Sequence, residues 1–247
     1  MIEYKELIKL LVSALKDKKE RECPNSVMVV GIEGVCSSGK STLLSHIEQN
    51  FNHPIFQLVS VEGDLFHRGR NVVHSLYLDA IAALDQGYLE SCNFHHLLTW
   101  KNIDLQNQLL DEIKKFNLQD KDTIEIELRN ILQDKENGTE HKKIISLTKK
   151  SILVIPLVFL RHLENIDLII YLDIEAQTSV SRKIERTLQQ NINRNLKLTR
   201  DICTKLEYPT MVYFNQKIAR KPDIIIDTNN WNEIKIGKST ASFLNII

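Results

Sequence analysis

The sequence predicts an α/β fold, a parallel sheet flanked by helices, and two patterns support this prediction. Short, continuously apolar runs rich in β-branched residues occur at 27–32, 55–61, 152–159, 167–174 and 223–227. Runs of this kind are typical of strands that are buried on both faces of a parallel sheet. Charged segments with helical spacing separate most of them, and strands alternating with helices favour such a sheet.

The first predicted helix spans residues 1–22, where Leu7, Ile8, Leu11 and Leu15 recur at helical spacing. Lysines on its other faces make it amphipathic, so we expect it to pack on the sheet. The remaining helices are predicted at 40–48, 71–86, 103–116, 176–190 and 197–220.

Two insertions into this pattern are expected. Polar alternation around Asn137-Gly138 predicts a small β-hairpin within residues 120–150, because Asn-Gly accepts the positive φ angles of a tight turn. The charged helices within 176–220 are joined by a polar turn and predict a lid-like helical pair. No linker long enough to separate two domains occurs in the sequence, so we predict one domain over residues 1–247.

Composition excludes several classes of protein. Of the 247 residues, 43% are hydrophobic and 26% charged, which is typical of a globular chain and excludes wholesale disorder. Thirty-two basic residues balance 32 acidic ones, whereas proteins that grip long nucleic acids usually show a basic excess. The four cysteines form no CxxC motif, and no apolar run is long enough to span a bilayer. We therefore expect a cytoplasmic protein that binds neither nucleic acid nor membrane. A homo-oligomer is compatible with all of this.

The strongest motif is the complete GxxxxGK[ST] pattern at residues 34–41, between a predicted buried strand and a helix. Its glycines let the backbone curl so that successive N–H groups point at a phosphate, and the helix adds its positive end. Lys40 is expected to reach the β- and γ-phosphates of ATP, and the Ser41 hydroxyl to ligate Mg²⁺. The alternative is a glycine-rich turn without a ligand. The predicted nucleotide-binding residues are Gly34, Val35, Cys36, Ser37, Ser38, Gly39, Lys40, Ser41 and Thr42.

This motif predicts a P-loop NTPase fold, and further patterns narrow the class. The string nearest to the base-reading motif of GTPases, at 148–151, lacks the required aspartate. No signature of a transporter ATPase is present, and the chain is too short for most motor or helicase cores. Size and motif together favour a small-molecule kinase.

The second motif, VEGDLFHRGR at 61–70, directly follows the second predicted strand. In a parallel α/β sheet this places Asp64 at the carboxyl end of a strand, in the ligand crevice beside the P-loop. Phosphoryl transfer to an alcohol needs a carboxylate that orients the hydroxyl and accepts its proton. His67 and Arg68 add polar and cationic groups that an acceptor could contact. Alternatively, Asp64 caps a turn and the neighbouring cations are solvated.

On these two motifs the chain resembles the phosphoribulokinase/uridine kinase family of P-loop kinases, from about Val27 to Ile226. The segment 61–70 is similar to the one that carries the family's catalytic aspartate and acceptor-binding residues. The resemblance implies that Asp64 is catalytic and that Asp64, His67 and Arg68 contact the acceptor. Residues 223–227 are similar to the strand that borders the nucleotide base.

The resemblance extends to two further segments. Residues 100–104 are similar to a family segment that ends in an acceptor-binding aspartate, which implies this role for Asp104. The helical pair resembles the family's lid, which implies that Arg182 and Arg186 close over the transferred phosphoryl group and that Arg194 binds the nucleotide. Solvated arginines on a charged helix are the alternative.

The sequence departs from the family at the end of the third strand, where an acidic residue followed by glycine normally helps to hold Mg²⁺. Here Pro156-Leu157 occupies that position. Glu62, Asp64 or Glu33 could take over the metal, and with Ser41 we assign Asp64 to it. The leading hypothesis is an ATP- and Mg²⁺-dependent kinase that phosphorylates a hydroxyl of a nucleoside (uridine- or cytidine-like) or sugar-type acceptor. The alternatives are a kinase for a less usual acceptor and a catalytically silent nucleotide-binding or regulatory protein.

Overall fold

The structure is a computed structural model and describes residues 2–66, 70–87, 102–132, 139–189, 195–231 and 235–236. Its helices are α1 Tyr4–Glu22, α2 Lys40–Asn50, α3 Arg70–Asp85, α4 Ile103–Asn117, α5 Ala176–Gln189, α6 Leu196–Asp201 and α7 Tyr208–Lys217. Its strands are β1 Met28–Gly34, β2 Gln57–Ser60, β3 Thr123–Leu132, β4 Thr139–Thr148, β5 Ser151–Leu157, β6 Leu168–Asp173, β7 Ile224–Asp227 and β8 Lys235–Ile236. Two 3₁₀ turns, Gly63–Phe66 and Leu160–His162, and a π-helical segment, Ile202–Glu207, complete the elements.

The main sheet has the strand order β2-β5-β1-β6-β7-β8. Its first five strands are parallel, and β8 alone runs antiparallel to its neighbour β7. The predicted parallel sheet is therefore confirmed, while the two-residue β8 was not predicted. Because parallel strands end at a common edge, the loops after β1, β2 and β5 lie side by side, and this edge is where ligands bind in such sheets.

Helices and a second sheet cover the two faces of the main sheet. On one face α1 and α2 bury a core with β1, β5, β6 and β7, to which α1 contributes Leu7, Leu11 and Leu15. On the other face α4 and the two-stranded sheet of β3 and β4 pack on β1, β5 and β6. The strands are sandwiched between these layers, which explains why β1 and β5 are buried along their whole length.

The expected antiparallel pair is present as β3 and β4, although its turn at 133–138 lies outside the described residues. Ile126, Leu128, Ile145 and Leu147 point inward and are buried. The outer face carries ion pairs of Glu127 with Arg129 and Lys142. The alternation seen in the sequence thus gives a ribbon with one apolar face, which needs the neighbouring α4 to cover it.

Pro156 lies inside β5, opposite Ile32 of β1, although proline is rare in the middle of a sheet. Two residues earlier, the Val154 carbonyl accepts from Val61 N–H at 3.1 Å, so the backbone at 154 and 156 faces the β2 side. β2 ends at Ser60, before the level of Pro156. The proline is tolerated because β2 has ended at the level where its missing N–H would have pointed.

The second helix of the predicted lid pair differs from the expectation. Instead of one helix over 197–220, the chain forms α6, the π-helical segment and then α7, which ends at Lys217. Asn195 caps α6 by accepting a hydrogen bond from Leu198 N–H at 3.1 Å. Among the helices that the structure describes, none combines the length and the apolar composition that crossing a membrane requires.

One buried lysine ties α1 to the rest of the fold. The Lys19 side chain is wholly buried, and its Nζ donates to the carbonyl oxygens of Cys23 at 2.7 Å, of Lys149 at 2.8 Å and of Ser26. An ammonium has three N–H donors, so these three carbonyls satisfy it completely. The contact joins the end of α1 to the loop before β1 and to the turn before β5.

We expect Lys19→Met to lower the free energy of unfolding by about 3 kcal/mol, because the change leaves three buried carbonyl groups without their charged donor. Urea denaturation would measure the loss. Lys9→Met, at an exposed position of the same helix, is the matched control and should be nearly neutral. Equal stability of the two variants would show that the Lys19 contacts do not anchor α1.

Candidate active site

The loop between β1 and α2 has the curled backbone that its motif predicts. Ser37 and Gly39 both adopt positive φ angles, 60° and 97°. At Gly39 a side chain is excluded twice, since a Cβ atom there would strain the backbone and lie 2.2 Å from the Trp231 ring. Ser38 is wholly buried, and its hydroxyl has no partner among the described residues. The loop 34–41 is thus a compact turn at the start of a helix.

Lys40 lies at the first position of α2 and points back across this loop. Its Nζ donates to the carbonyl oxygens of Gly34 and Val35, both at 2.8 Å. Burial lowers the pKa of the Lys40 ammonium, while the negative charge of the nearby Glu207 carboxylate opposes that effect. The ammonium is therefore held inside the loop, at the position from which a lysine can reach phosphate oxygens.

The turn after β2 carries the predicted carboxylate. Gly63–Phe66 forms a 3₁₀ turn, and the exposed Asp64 side chain lines the same cavity as the P-loop. This turn passes directly over β5, because a Cβ on Gly63 would lie only 2.0 Å from the carbonyl oxygen of Pro156. The glycine of the Glu-Gly-Asp sequence is therefore required by a close backbone contact, which sets the position of Asp64.

Helix α5 covers the P-loop from the other side. The Ser179 hydroxyl donates to the carbonyl oxygen of Cys36 at 2.7 Å and joins the start of α5 to the loop. One turn further on, Arg182 Nη2 donates to the carbonyl oxygens of Thr228 and Asn229 at 2.7 and 3.1 Å. Its Nη1 is buried without a partner among the described residues, and both Arg182 and Arg186 line the cavity.

These elements enclose a cavity of about 650 Å³, large enough for a nucleotide-sized ligand. The P-loop contributes Lys40 and Ser41, the turn after β2 contributes Glu62 and Asp64, and α5 contributes its arginines. Pro156 and Leu157, at the end of β5, also line it. The cavity thus brings together Lys40 of the P-loop, the carboxylates of Glu62 and Asp64, and the two arginines of a lid-like helix.

Three predicted residues, His67, Arg68 and Arg194, lie outside the described residues. Asp104 is exposed in the first turn of α4 and is not among the described residues that line the cavity. The start of α4 nevertheless lies beside the Asp64 turn, because Asn102 N–H donates to the Phe66 carbonyl at 2.8 Å. The acceptor role of Asp104 stays a prediction.

Glu33, one of the carboxylates considered for the metal, is excluded from that role by its surroundings. Its side chain is wholly buried and accepts hydrogen bonds from Arg161 N–H at 2.7 Å and Arg161 Nε at 2.8 Å. The sequence pattern did not indicate this pairing, since the two residues are 128 positions apart. Glu33 forms a buried ion pair, and of the three carboxylates considered for the metal, Glu62 and Asp64 line the cavity.

Several cavity residues were missed by the sequence analysis, and three of them carry polar or aromatic side chains used below. Trp231 lies over Gly39 and follows the last long strand, while Tyr77 on α3 and Glu207 on the π-helical segment line the cavity beyond the P-loop. Trp231 and Glu207 stand in no recognisable motif. Tyr77 was placed on a predicted helix, but only the packing of α3 against the π-helical segment brings it into the site.

Comparison with known proteins agrees with this architecture. A family model described as "Phosphoribulokinase / Uridine kinase family" matches residues 29–226, well over half of the chain. The chain belongs to this family. A comparison with proteins of curated function gave no match.

Solved structures share the fold over nearly the whole chain. D-glycerate 3-kinase from Cryptococcus neoformans var. grubii is 10% identical with a TM-score of 0.60, and the match covers 95% of this chain and 99% of that one. A proposed fructose transport system kinase from Silicibacter sp. TM1040 is 13% identical with a TM-score of 0.56, covering 91% of this chain and 99% of that one. At such low identity the likeness establishes the P-loop kinase fold and not an acceptor.

Membership of a P-loop kinase family implies the use of ATP and usually of Mg²⁺, and the cavity residues fit the ion. Mg²⁺ in such sites takes few protein ligands, one or two carboxylates or hydroxyls, beside phosphates and water. Ser41, Glu62 and Asp64 supply that donor set. A cluster of three or more His, Cys, Asp or Glu side chains suited to a metal is absent from the described part of the chain.

We expect Gly63→Ala to lower the free energy of unfolding by about 2 kcal/mol, because the new methyl group meets a backbone oxygen that no side-chain rotation can relieve. The turn that carries Asp64 must move away from β5, so any turnover should fall as well. Chemical denaturation would measure the stability change. A variant as stable as the parent would contradict the close contact between this turn and Pro156.

Proposed function

We propose that this protein is an ATP- and Mg²⁺-dependent kinase that transfers the γ-phosphoryl group to a hydroxyl of a nucleoside or sugar-type acceptor. One observation carries the proposal. A single cavity is lined by the P-loop Lys40, by Asp64 from the turn after the neighbouring β2, and by Arg182 and Arg186 of α5. A protein that only binds a nucleotide needs a carboxylate for Mg²⁺ but none for an acceptor hydroxyl, whereas this cavity is lined by both Glu62 and Asp64.

In this proposal the P-loop holds the triphosphate. The amides of residues 34–41 and the N-terminus of α2 surround the phosphates, and Lys40 exchanges its carbonyl partners Gly34 and Val35 for β- and γ-phosphate oxygens. Ser41 and Glu62, the residue before the Asp64 turn, would hold Mg²⁺, and the ion would supply positive charge to the triphosphate.

Asp64 has the second role, at the acceptor. Its carboxylate orients the acceptor hydroxyl and takes its proton as the oxygen attacks phosphorus. Its exposed position on a fixed turn, in the wall of the cavity, supports this role. Arg182 and Arg186 stabilise the charge on the transferred group, and α5 keeps water away from it.

Trp231 is proposed to contact the base of the nucleotide. Its ring packs on Gly39 at one end of the cavity and is only partly buried, so it leaves an aromatic surface beside the P-loop. Arg182 lies next to this region through its bonds to the carbonyls of residues 228 and 229. A flat base could stack on this surface.

Pro156 supports a second candidate, a silent nucleotide-binding or regulatory protein of the same fold. It lines the cavity where the family normally has an acidic residue, and it cannot hold a metal ion. The two candidates differ in whether ATP is consumed. Incubation with γ-labelled ATP and a panel of nucleosides and sugars would separate them, since only a kinase transfers the label to an acceptor.

Asp64→Asn should lower acceptor phosphorylation by roughly 100-fold or more, the contribution of a positioned general base, while ATP affinity stays close to that of the parent. Calorimetric titration with ATP and Mg²⁺ would measure affinity, and label transfer would measure turnover. Glu62→Gln, in the neighbouring carboxylate, is the matched comparison. If Asp64→Asn lost ATP affinity instead, its carboxylate would be a metal ligand and not the base.

Lys40→Ala should abolish label transfer and also weaken ATP binding. The ammonium is expected to bind the phosphates of ATP and to stabilise the charge on the phosphoryl group during its transfer. Fluorescence of Trp231 during ATP titration would measure binding, with Trp231→Phe identifying its signal against that of Trp100. A Lys40→Ala protein that binds and turns over ATP like the parent would overturn the nucleotide-binding assignment of the P-loop.

A further inference from the structure

A second polar cluster lies behind the P-loop, and none of the roles above uses it. Its centre is the Glu207 carboxylate, which is four-fifths buried and lines the cavity. It accepts hydrogen bonds from Tyr77 Oη at 3.2 Å and from Lys183 Nζ at 3.2 and 3.3 Å, one to each carboxylate oxygen. The Cys203 thiol lies 3.7 Å from the same carboxylate.

The three main partners come from three separate elements. Tyr77 belongs to α3, Lys183 to α5 and Glu207 to the π-helical segment. Lys183 directly follows Arg182 and precedes Arg186 by three residues, so its bond fixes the rotation of α5 about its own axis. A change in that rotation would move both arginines relative to the P-loop.

The π-helical segment explains how Glu207 reaches this position. A π-helix has an additional residue per turn compared with an α-helix, so it displaces the residues that follow it around the axis. Such segments are rare and occur frequently at functional sites. Here the segment lies between α6 and α7, and Glu207 is its last residue, four positions after Cys203.

The pKa shifts of the cluster agree with an ion pair between Lys183 and Glu207. Although burial opposes its charge, Lys183 has a raised pKa because the Glu207 carboxylate stabilises the ammonium. Burial and the same carboxylate raise the pKa of the Tyr77 hydroxyl well above its usual value, so Tyr77 remains a donor. Burial raises the pKa of the Cys203 thiol to about 12, with Glu207 adding to the effect.

We infer that Glu207 is a positioning residue: through Lys183 and Tyr77 it sets α5 at the orientation in which Arg182 and Arg186 face the P-loop. The inference rests on the proposed phosphoryl transfer for its effect on rate, but the orientation of α5 can be tested without turnover. A merely structural pair would stabilise the fold and leave the rate of each folded molecule unchanged.

The chain offers a matched control. Lys205, on the π-helical segment, donates to Asp85 of α3 at 2.7 Å, so this pair joins two of the same elements. It differs in being exposed and in lying outside the cavity lining. Lys205→Met therefore removes an ion pair between α3 and the π-helical segment without touching the cavity.

The experiment compares Glu207→Gln, Lys183→Met and Lys205→Met with the parent. We expect kcat to fall roughly 10- to 100-fold in Lys183→Met, the size of effect that a small misplacement of catalytic groups produces, with KM for ATP nearly unchanged. Glu207→Gln should lose less, because the amide oxygen still accepts from Tyr77. Lys205→Met should keep the parent kcat.

Limited digestion with trypsin gives the second readout, scored as cleavage after Arg186, because Lys183→Met itself changes the sequence recognised at Arg182. Faster cleavage in Glu207→Gln and Lys183→Met, and not in Lys205→Met, is expected because α5 opens more readily. If the parent transfers no phosphoryl group, the proposed function is wrong. The cleavage rates of the variants then test by themselves whether Glu207 positions α5. Unchanged cleavage after Arg186 in both variants, or an active parent whose kcat Lys183→Met leaves unchanged, would overturn the inference.

Discussion

The geometry of the site depends on one buried ion pair beside the P-loop. Glu33, the residue before the loop, is wholly buried, and both of its carboxylate oxygens accept from Arg161 in the turn after β5. The same guanidinium donates to the side chain of Asn215 on α7 and lies over the Tyr171 ring of β6, 4.5 Å from its centre. Removing one partner of such a pair costs about 3–5 kcal/mol, so the ends of β1 and β5 and the base of the lid-like helices are locked together.

With the end of β1 fixed, the remaining parts of the site follow from strand order. β1 lies between β5 and β6, and β2 is paired with β5, so the P-loop and the Asp64 turn flank the end of β5. Gly63 lets the Asp64 turn approach Pro156, and Ser179 ties α5 to the P-loop. Each contact acts on backbone atoms, which position a charged side chain more firmly than contacts between flexible side chains do.

Much of this could be predicted from the sequence, because its strongest signals are local. The apolar runs gave the parallel strands, and the P-loop pattern together with VEGDLFHRGR indicated the family. Long-range pairings could not be predicted, since nothing in the sequence near Glu33 indicates a partner 128 residues away. The π-helical segment was not predicted either, because its residues have ordinary helical propensities and only tertiary packing selects the wider turn. Glu207 and Trp231 were missed for the same reason, as they reach the cavity through packing and not through a motif.

Hydrogen exchange of α5 tests most directly the central claim that this helix closes over a cavity in which ATP meets an acceptor. A working kinase must bring its arginines onto the transferred group while excluding water, so ATP with an accepted nucleoside or sugar should protect residues 176–189 more than ATP alone. The contrary result is a protein that binds ATP without consuming it and whose α5 exchanges at the same rate with every ligand. That result would contradict the account and favour the silent nucleotide-binding protein.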